Sequence, residues 1–92
     1  MALIAADNIN TGDKHAYKFQ FRAGLTYQIY VQNALPGVDL DIYIFDTNGN
    51  LLGKDNSYAS DAVVSFTPAW TAEFLVVVIC ASGATTYHLH ID

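Results

Sequence analysis

A chain of 92 residues has room for one hydrophobic core and no second domain. At this size about 60–65% of the unfolded chain's surface leaves water on folding. Apolar residues make up 52% and charged ones 14%, so nearly every Leu, Val and Ile has to find the interior. A formal charge of -5 with only four basic residues argues against a nucleic-acid partner, which needs clustered Lys and Arg, and against an anionic membrane surface.

In chain order, "MALIAADNIN" lacks a basic start and a full apolar core, so no secretory leader is expected there. "YKFQFRA" alternates: Tyr17, Phe19 and Phe21 share one face, and Lys18, Gln20 and Arg22 the other. That is a strand with one buried face. Ala23-Gly24 makes a tight connection to "TYQIYV", which turns Tyr27, Ile29 and Val31 one way and Thr26, Gln28 and Tyr30 the other. "LDIYIF" places Leu40, Ile42 and Ile44 inward.

The segment "IYIFDTNGNLL" sets two strand-like runs around Asn48-Gly49, a strong hairpin signal, and a type I′ turn is expected. An EF-hand would need Gly at loop position six and Glu at position twelve; counted from Asp46, Gly49 stands fourth and Ser57 twelfth, so that reading fails. "AVVSF" is a short strand. "FLVVVICA" is apolar on both faces, as a central strand would be, and its eight residues fall short of the ~20 a membrane helix needs. Cys80 lies in this run as an unpaired, buried and inert thiol. "TYHLHI" closes the chain with Tyr87, Leu89 and Ile91 inward and His88 and His90 outward. Turn-forming residues fill 32–39, 46–50, 53–61 and 67–72, and no helical stripe runs for three turns. The pattern is that of an all-β sandwich or barrel of about seven strands.

Four segments in order, "TGDKHAYKFQFRAGLTYQIYV", "DLDIYIFDTNGNLL", "DAVVSFTPAWTAEFLVVV" and "YHLHI", resemble the bacterial pre-peptidase C-terminal domain family over about residues 8 to 92. Two departures stand out. Thr71-Ala72 occupies a place where that family usually has Thr-Gly, which implies a turn without positive φ. Lys14-His15-Ala16 replaces a position that is often acidic or Trp. The resemblance implies one antiparallel, jelly-roll-like β-sandwich of about 7–9 strands spanning residues 1–92. It further implies a secreted, non-catalytic module beside a peptidase, related to the collagen-binding domains of clostridial collagenases. In those domains calcium ligands come largely from a segment before the sandwich; here that segment offers only Asp7.

Candidate sites follow from residue type and phase. Asp39 and Asp41 are two apart on a strand, so they project to one face roughly 7 Å apart. With Asp55 or Asp61 arriving from the next loop they could hold Ca2+; otherwise they are solvated acids guarding an edge. Tyr30 and Tyr43 lie on the polar phase of their strands and Tyr58 in a loop. Exposed tyrosines on a flat sheet suit an extended ligand. A contiguous Tyr30–Tyr43–Tyr58 patch would favour binding a polymeric extracellular substrate, protein fibre or polysaccharide, or the adjacent catalytic domain. Scattered rings would favour a structural or secretion module, or a homodimer through edge strands. Trp70 is expected to cap the core. His88 and His90 share a face and could give two ligands to zinc or copper, with His15 as a third only if its strand neighbours the last. No Gly-x-Ser-x-Gly elbow or Gly-rich phosphate loop is present, so no enzyme is expected.

Overall fold

A computed structural model describes residues 2–35, 37–55 and 61–92. These form eight strands: β1 (Ala2–Asn10), β2 (Lys14–Phe21), β3 (Tyr27–Asn33), β4 (Asp39–Asp46), β5 (Leu51–Asp55), β6 (Ala62–Phe66), β7 (Ala72–Ser82) and β8 (Ala84–Ile91). They pair antiparallel as β1 with β8, β2 with β7, β3 with β6 and β4 with β5. The chain is thus one long hairpin doubled at the β4–β5 turn. It rolls into two sheets, β1-β8-β3-β6 and β2-β7-β4-β5, where β3–β8 and β4–β7 pairing joins the halves. This is a jelly roll, an all-β sandwich.

The two-residue period builds the core. Ile29 and Val31 of β3, Leu40, Ile42 and Ile44 of β4, Phe74, Val76, Val78 and Cys80 of β7, and Tyr87 and Leu89 of β8 are all fully buried between the sheets. Phe21 packs its ring on Tyr27 at 4.4 Å and on Phe74 at 5.8 Å, with Phe66 edge-on to Phe74 at 5.3 Å. Burial raises the pKa of the Cys80 thiol, as expected for an inert cysteine.

Four features differ from the sequence reading or sharpen it. β1 is a full strand, although "ALIAADNIN" shows no clean alternation; it adds to β8 as an edge, and of its described side chains only Ile9 is fully buried. The β4–β5 turn is not type I′, because Gly49 has φ 85° while no non-glycine residue has positive φ. Instead, Gly49 N–H donates to Asp46 O at 3.2 Å, a type I turn closed by a left-handed glycine. Asp46 fixes it: its carboxylate accepts from the backbone N–H groups of Asn48 (2.9 Å) and Asn50 (2.8 Å) and from the Asn50 side chain (2.9 Å). Those donors, led by Asn50, hold the Asp46 carboxyl below the usual carboxylate range. Trp70 rests its ring 5.6 Å from Phe74 but stays 45% exposed, so it covers the core only in part. Thr71-Ala72 turns without positive φ, as the missing glycine implied.

Truncating Phe74 to Ala removes the ring that Phe21, Phe66 and Trp70 all touch. The expected loss is about 3–5 kcal/mol, read as a fall in the urea midpoint with unchanged slope.

Candidate functional site: the outer face of the β2-β7-β4-β5 sheet

Strand register arranges the outward side chains of this sheet in rows. Lys14, Ile79 and Asp41 form the first, and Ala16, Val77, Tyr43 and Lys54 the second. Lys18, Leu75, Phe45 and Leu51 form the third, and Gln20 and Glu73 the fourth. Tyr43, Phe45, Leu75, Val77 and Ile79 are only half-buried, and the rings of Tyr43 and Phe45 stack at 6.3 Å. Three of the four basic residues of the chain flank this apolar band: Lys14 and Lys18 on the β2 edge, and Lys54 on the β5 edge. Arg22 follows at the end of β2. The outward face of the other sheet therefore carries no Lys or Arg. The sequence reading took "FLVVVICA" as covered on both faces and so missed Leu75, Val77 and Ile79 as surface. Their signal was the outward phase shared with Lys14 and Lys18 on the neighbouring strand.

Asp39 and Asp41 close one end of this face. They point the same way, as their spacing requires, and Asp41 is only 8% exposed. One buried oxygen on each, Asp39 Oδ1 and Asp41 Oδ1, has no hydrogen-bond partner. Burial, then the charge of Asp39 and a hydrogen bond to it, and then the charge of Asp55, push the Asp41 carboxyl up to about 6. Asp55 also accepts the Val63 N–H at 2.8 Å, which ties β5 to β6 across the sandwich. Asp61 is engaged elsewhere, accepting from the Tyr30 hydroxyl at 2.7 Å and the Asn33 N–H at 2.9 Å. That hydrogen bond raises the Tyr30 pKa. Of the four expected cation ligands, then, Asp39, Asp41 and Asp55 act on one another and Asp61 does not join them. Among the described residues no three acid, His or Cys side chains converge as a ready metal cage.

The tyrosines separate. Tyr43 lies on the outer face just described, whereas Tyr30 lies on the outer face of the opposite sheet, stacked on His90 at 5.9 Å. Tyr58 lies outside the described residues. Tyr30 and Tyr43 cannot belong to one patch. The histidines separate too. His88 and His90 face outward with ring centres 6.4 Å apart, while His15 of β2 lies in the other sheet and reaches across to Tyr87 of β8 and Asp7 of β1. Its Nδ1 lies 2.8 Å from the Tyr87 hydroxyl and 3.7 Å from Asp7 Oδ2, and the Tyr87 hydroxyl also meets that of Tyr17. Burial and Tyr17 raise the Tyr87 pKa, so this chain of polar groups stays neutral at Tyr87 and closes the sandwich edge. A groove of about 540 Å³ near Asn8, Leu35 and Thr86 has no acid, base or thiol in its lining.

No family model matches the chain, and no curated protein matches it. A solved structure does. The pre-peptidase C-terminal domain of collagenase from Bacillus anthracis superposes on 98% of this chain and 90% of its own, with a TM-score of 0.65 and 17% identity. The chain has the fold of a pre-peptidase C-terminal domain. At that identity the likeness fixes the sandwich and its strand order. The outer face described above belongs to this chain's own sequence.

The Asp41 pKa sets a sign for pH dependence. With the folded carboxyl near 6 and the unfolded one near 3.8, the folded chain holds a proton that the unfolded chain has released between those values. Stability therefore falls as pH rises through that window and stays lower above it. Asp41→Asn in the presence of chelator is expected to stabilise by roughly 1–3 kcal/mol at pH 7.5 and by little at pH 4, measured as urea midpoints at both pH values.

Proposed function

We propose that this chain is a non-catalytic accessory module of a secreted peptidase, working outside the cell, and that it holds a protein polymer on the outer face of the β2-β7-β4-β5 sheet. The observation that carries the reading is the half-buried band of Tyr43, Phe45, Leu75, Val77 and Ile79 with Lys14, Lys18 and Lys54 along its flanks. A sheet face with an apolar centre is one that binding would cover. The lysines add stems that pack and ammonium groups that meet carboxylates or carbonyls of the polymer. A fibre with acidic side chains suits this face better than a neutral polysaccharide, because Tyr30 and Tyr43 do not line up as a stacking platform. The fold shared with the collagenase domain supports the peptidase association.

The non-catalytic reading draws on the placement of the ionisable groups. Cys80 is fully buried, and His15 lies on the other sheet from His88 and His90. The His15 ring is engaged by Tyr87 and Asp7 inside the sandwich.

A structural module that only supports its neighbour, or self-associates through an edge strand, is the second reading. The separation of Tyr30 from Tyr43 is what favours it. Co-sedimentation with insoluble collagen and with cellulose separates the two. The binding reading expects retention on collagen that drops at least about tenfold in a Tyr43→Ala, Lys54→Ala variant and survives in Tyr30→Ala. Retention on neither polymer, with normal folding, leaves the structural module.

A further inference from the structure

We propose that His88 and His90 form an open site for a divalent transition-metal ion, Cu2+ above all, on the outer face of the β1-β8-β3-β6 sheet. The two residues are two apart on β8, so both imidazoles leave the same face of the strand. β8 is hydrogen-bonded to β1 on one side and to β3 on the other, which fixes the backbone under both rings. The ring centres stand 6.4 Å apart. Two imidazoles on one ion, with N–metal distances of ~2.0–2.1 Å, stand roughly 4.5–5.5 Å apart centre to centre. Rotation about the side-chain torsions, of which χ2 of histidine is broad, closes that gap without moving the strand. Tyr30, opposite His90 on β3, lies stacked on it at 5.9 Å. Its hydroxyl donates to Asp61 at 2.7 Å, so the ring that backs His90 is itself held.

The surroundings admit a cation. Neither Lys nor Arg projects from this face, so no fixed positive charge repels the ion. Ala6, beside His88 on β1, is too small to cover the pair, and Gln32, beside it on β3, has an amide oxygen to offer. Among the described residues no third acid, His or Cys side chain joins the two histidines, so water completes the shell. The donors select the ion. Imidazole nitrogen suits Cu2+, Ni2+ and Zn2+, and the general order of affinity puts Cu2+ first. A tetragonal shell of nitrogen and oxygen donors is also the one that Cu2+ favours. Ca2+ and Mg2+ prefer oxygen alone. The site goes beyond a docking role: it lies on the sheet opposite the proposed polymer face, so ion and polymer do not compete for one surface.

The test uses the untagged chain and CuSO4, with two readouts that need no variant. Cu2+ is paramagnetic and broadens the amide signals of residues near it. In 15N–1H spectra with less than one equivalent of Cu2+, broadening is expected to centre on His88 and His90 and to spread to Ala6, Tyr30 and Gln32 on the neighbouring strands. At one equivalent, electron paramagnetic resonance is expected to show a single axial Cu2+ species coupled to two nitrogens. Variants then test the ligands. His88→Gln and His90→Gln are each expected to weaken Cu2+ binding at least about tenfold, and the double variant to lose retention on a Ni2+ chelating resin. Both side chains point outward, so the fold should survive, and an unchanged urea midpoint without metal checks that it does. Broadening centred on His15 or on the Asp39–Asp41 end of β4 would overturn the proposal. So would a Cu2+ signal coupled to fewer than two nitrogens, or a double variant that binds Cu2+ as the parent does.

Discussion

Strand β7 is hydrogen-bonded along both edges, to β2 and to β4, and its pleat decides what every neighbouring side chain does. Phe74, Val76, Val78 and Cys80 go inward and are fully buried; Glu73, Leu75, Val77 and Ile79 go outward. A slip of one residue would exchange the two rows along the whole strand. The inward row, with its large ring at Phe74, specifies the register against β2 and β4. Once that register is fixed, Lys14, Lys18, Tyr43, Phe45 and Lys54 have no choice but to surround the outward row. The apolar outer face is thus a by-product of the same alternation that fills the core.

The sandwich is also closed by polar contacts at its margins, where the aliphatic core runs out. His15 and Tyr17 of β2 meet Tyr87 of β8, and the Asp55 carboxylate of β5 accepts the Val63 N–H of β6. Both links join one sheet to the other. At a further margin the Tyr27 hydroxyl accepts the Arg22 N–H at 2.9 Å, holding the turn between β2 and β3. Tyrosine suits these places because its ring belongs to the core while its hydroxyl reaches the rim. Three of the six tyrosines are used in this way, which reduces the number available for ligands.

Much of the fold was legible because most strands alternate strictly: the inward assignments of Phe21, Ile29, Val31, Leu40, Ile42, Ile44, Tyr87 and Leu89 follow from period two alone. β1 was illegible because it lies on an edge, is rich in alanine and buries little, so neighbours rather than its own pattern make it a strand. The turn at Asn48-Gly49 was legible as a turn but not in type. Asp46 binds the backbone N–H groups two and four residues on, and that local cradle keeps Asn48 out of the left-handed region. The site was legible only in part. The shared face of Asp39 and Asp41 follows from their spacing. That Asp61 pairs with Tyr30, and that Tyr30 and Tyr43 end on opposite sheets, depends on which strands join which sheet. Period two says nothing about that.

The acid pair is where local pattern and global fold disagree. An Asp-Leu-Asp strand should keep both acids in water, yet the sheet carries Asp41 almost entirely out of it. Such conflict between local and global preference leaves Asp41 as a buried acid whose charge works against the fold. Its most direct measure is the titration of the Asp41 side-chain carboxyl, followed by its 13C shift. Burial beside Asp39 predicts a midpoint of about 6. A midpoint near 4 would mean that the pair is hydrated and unstrained, and would contradict that burial.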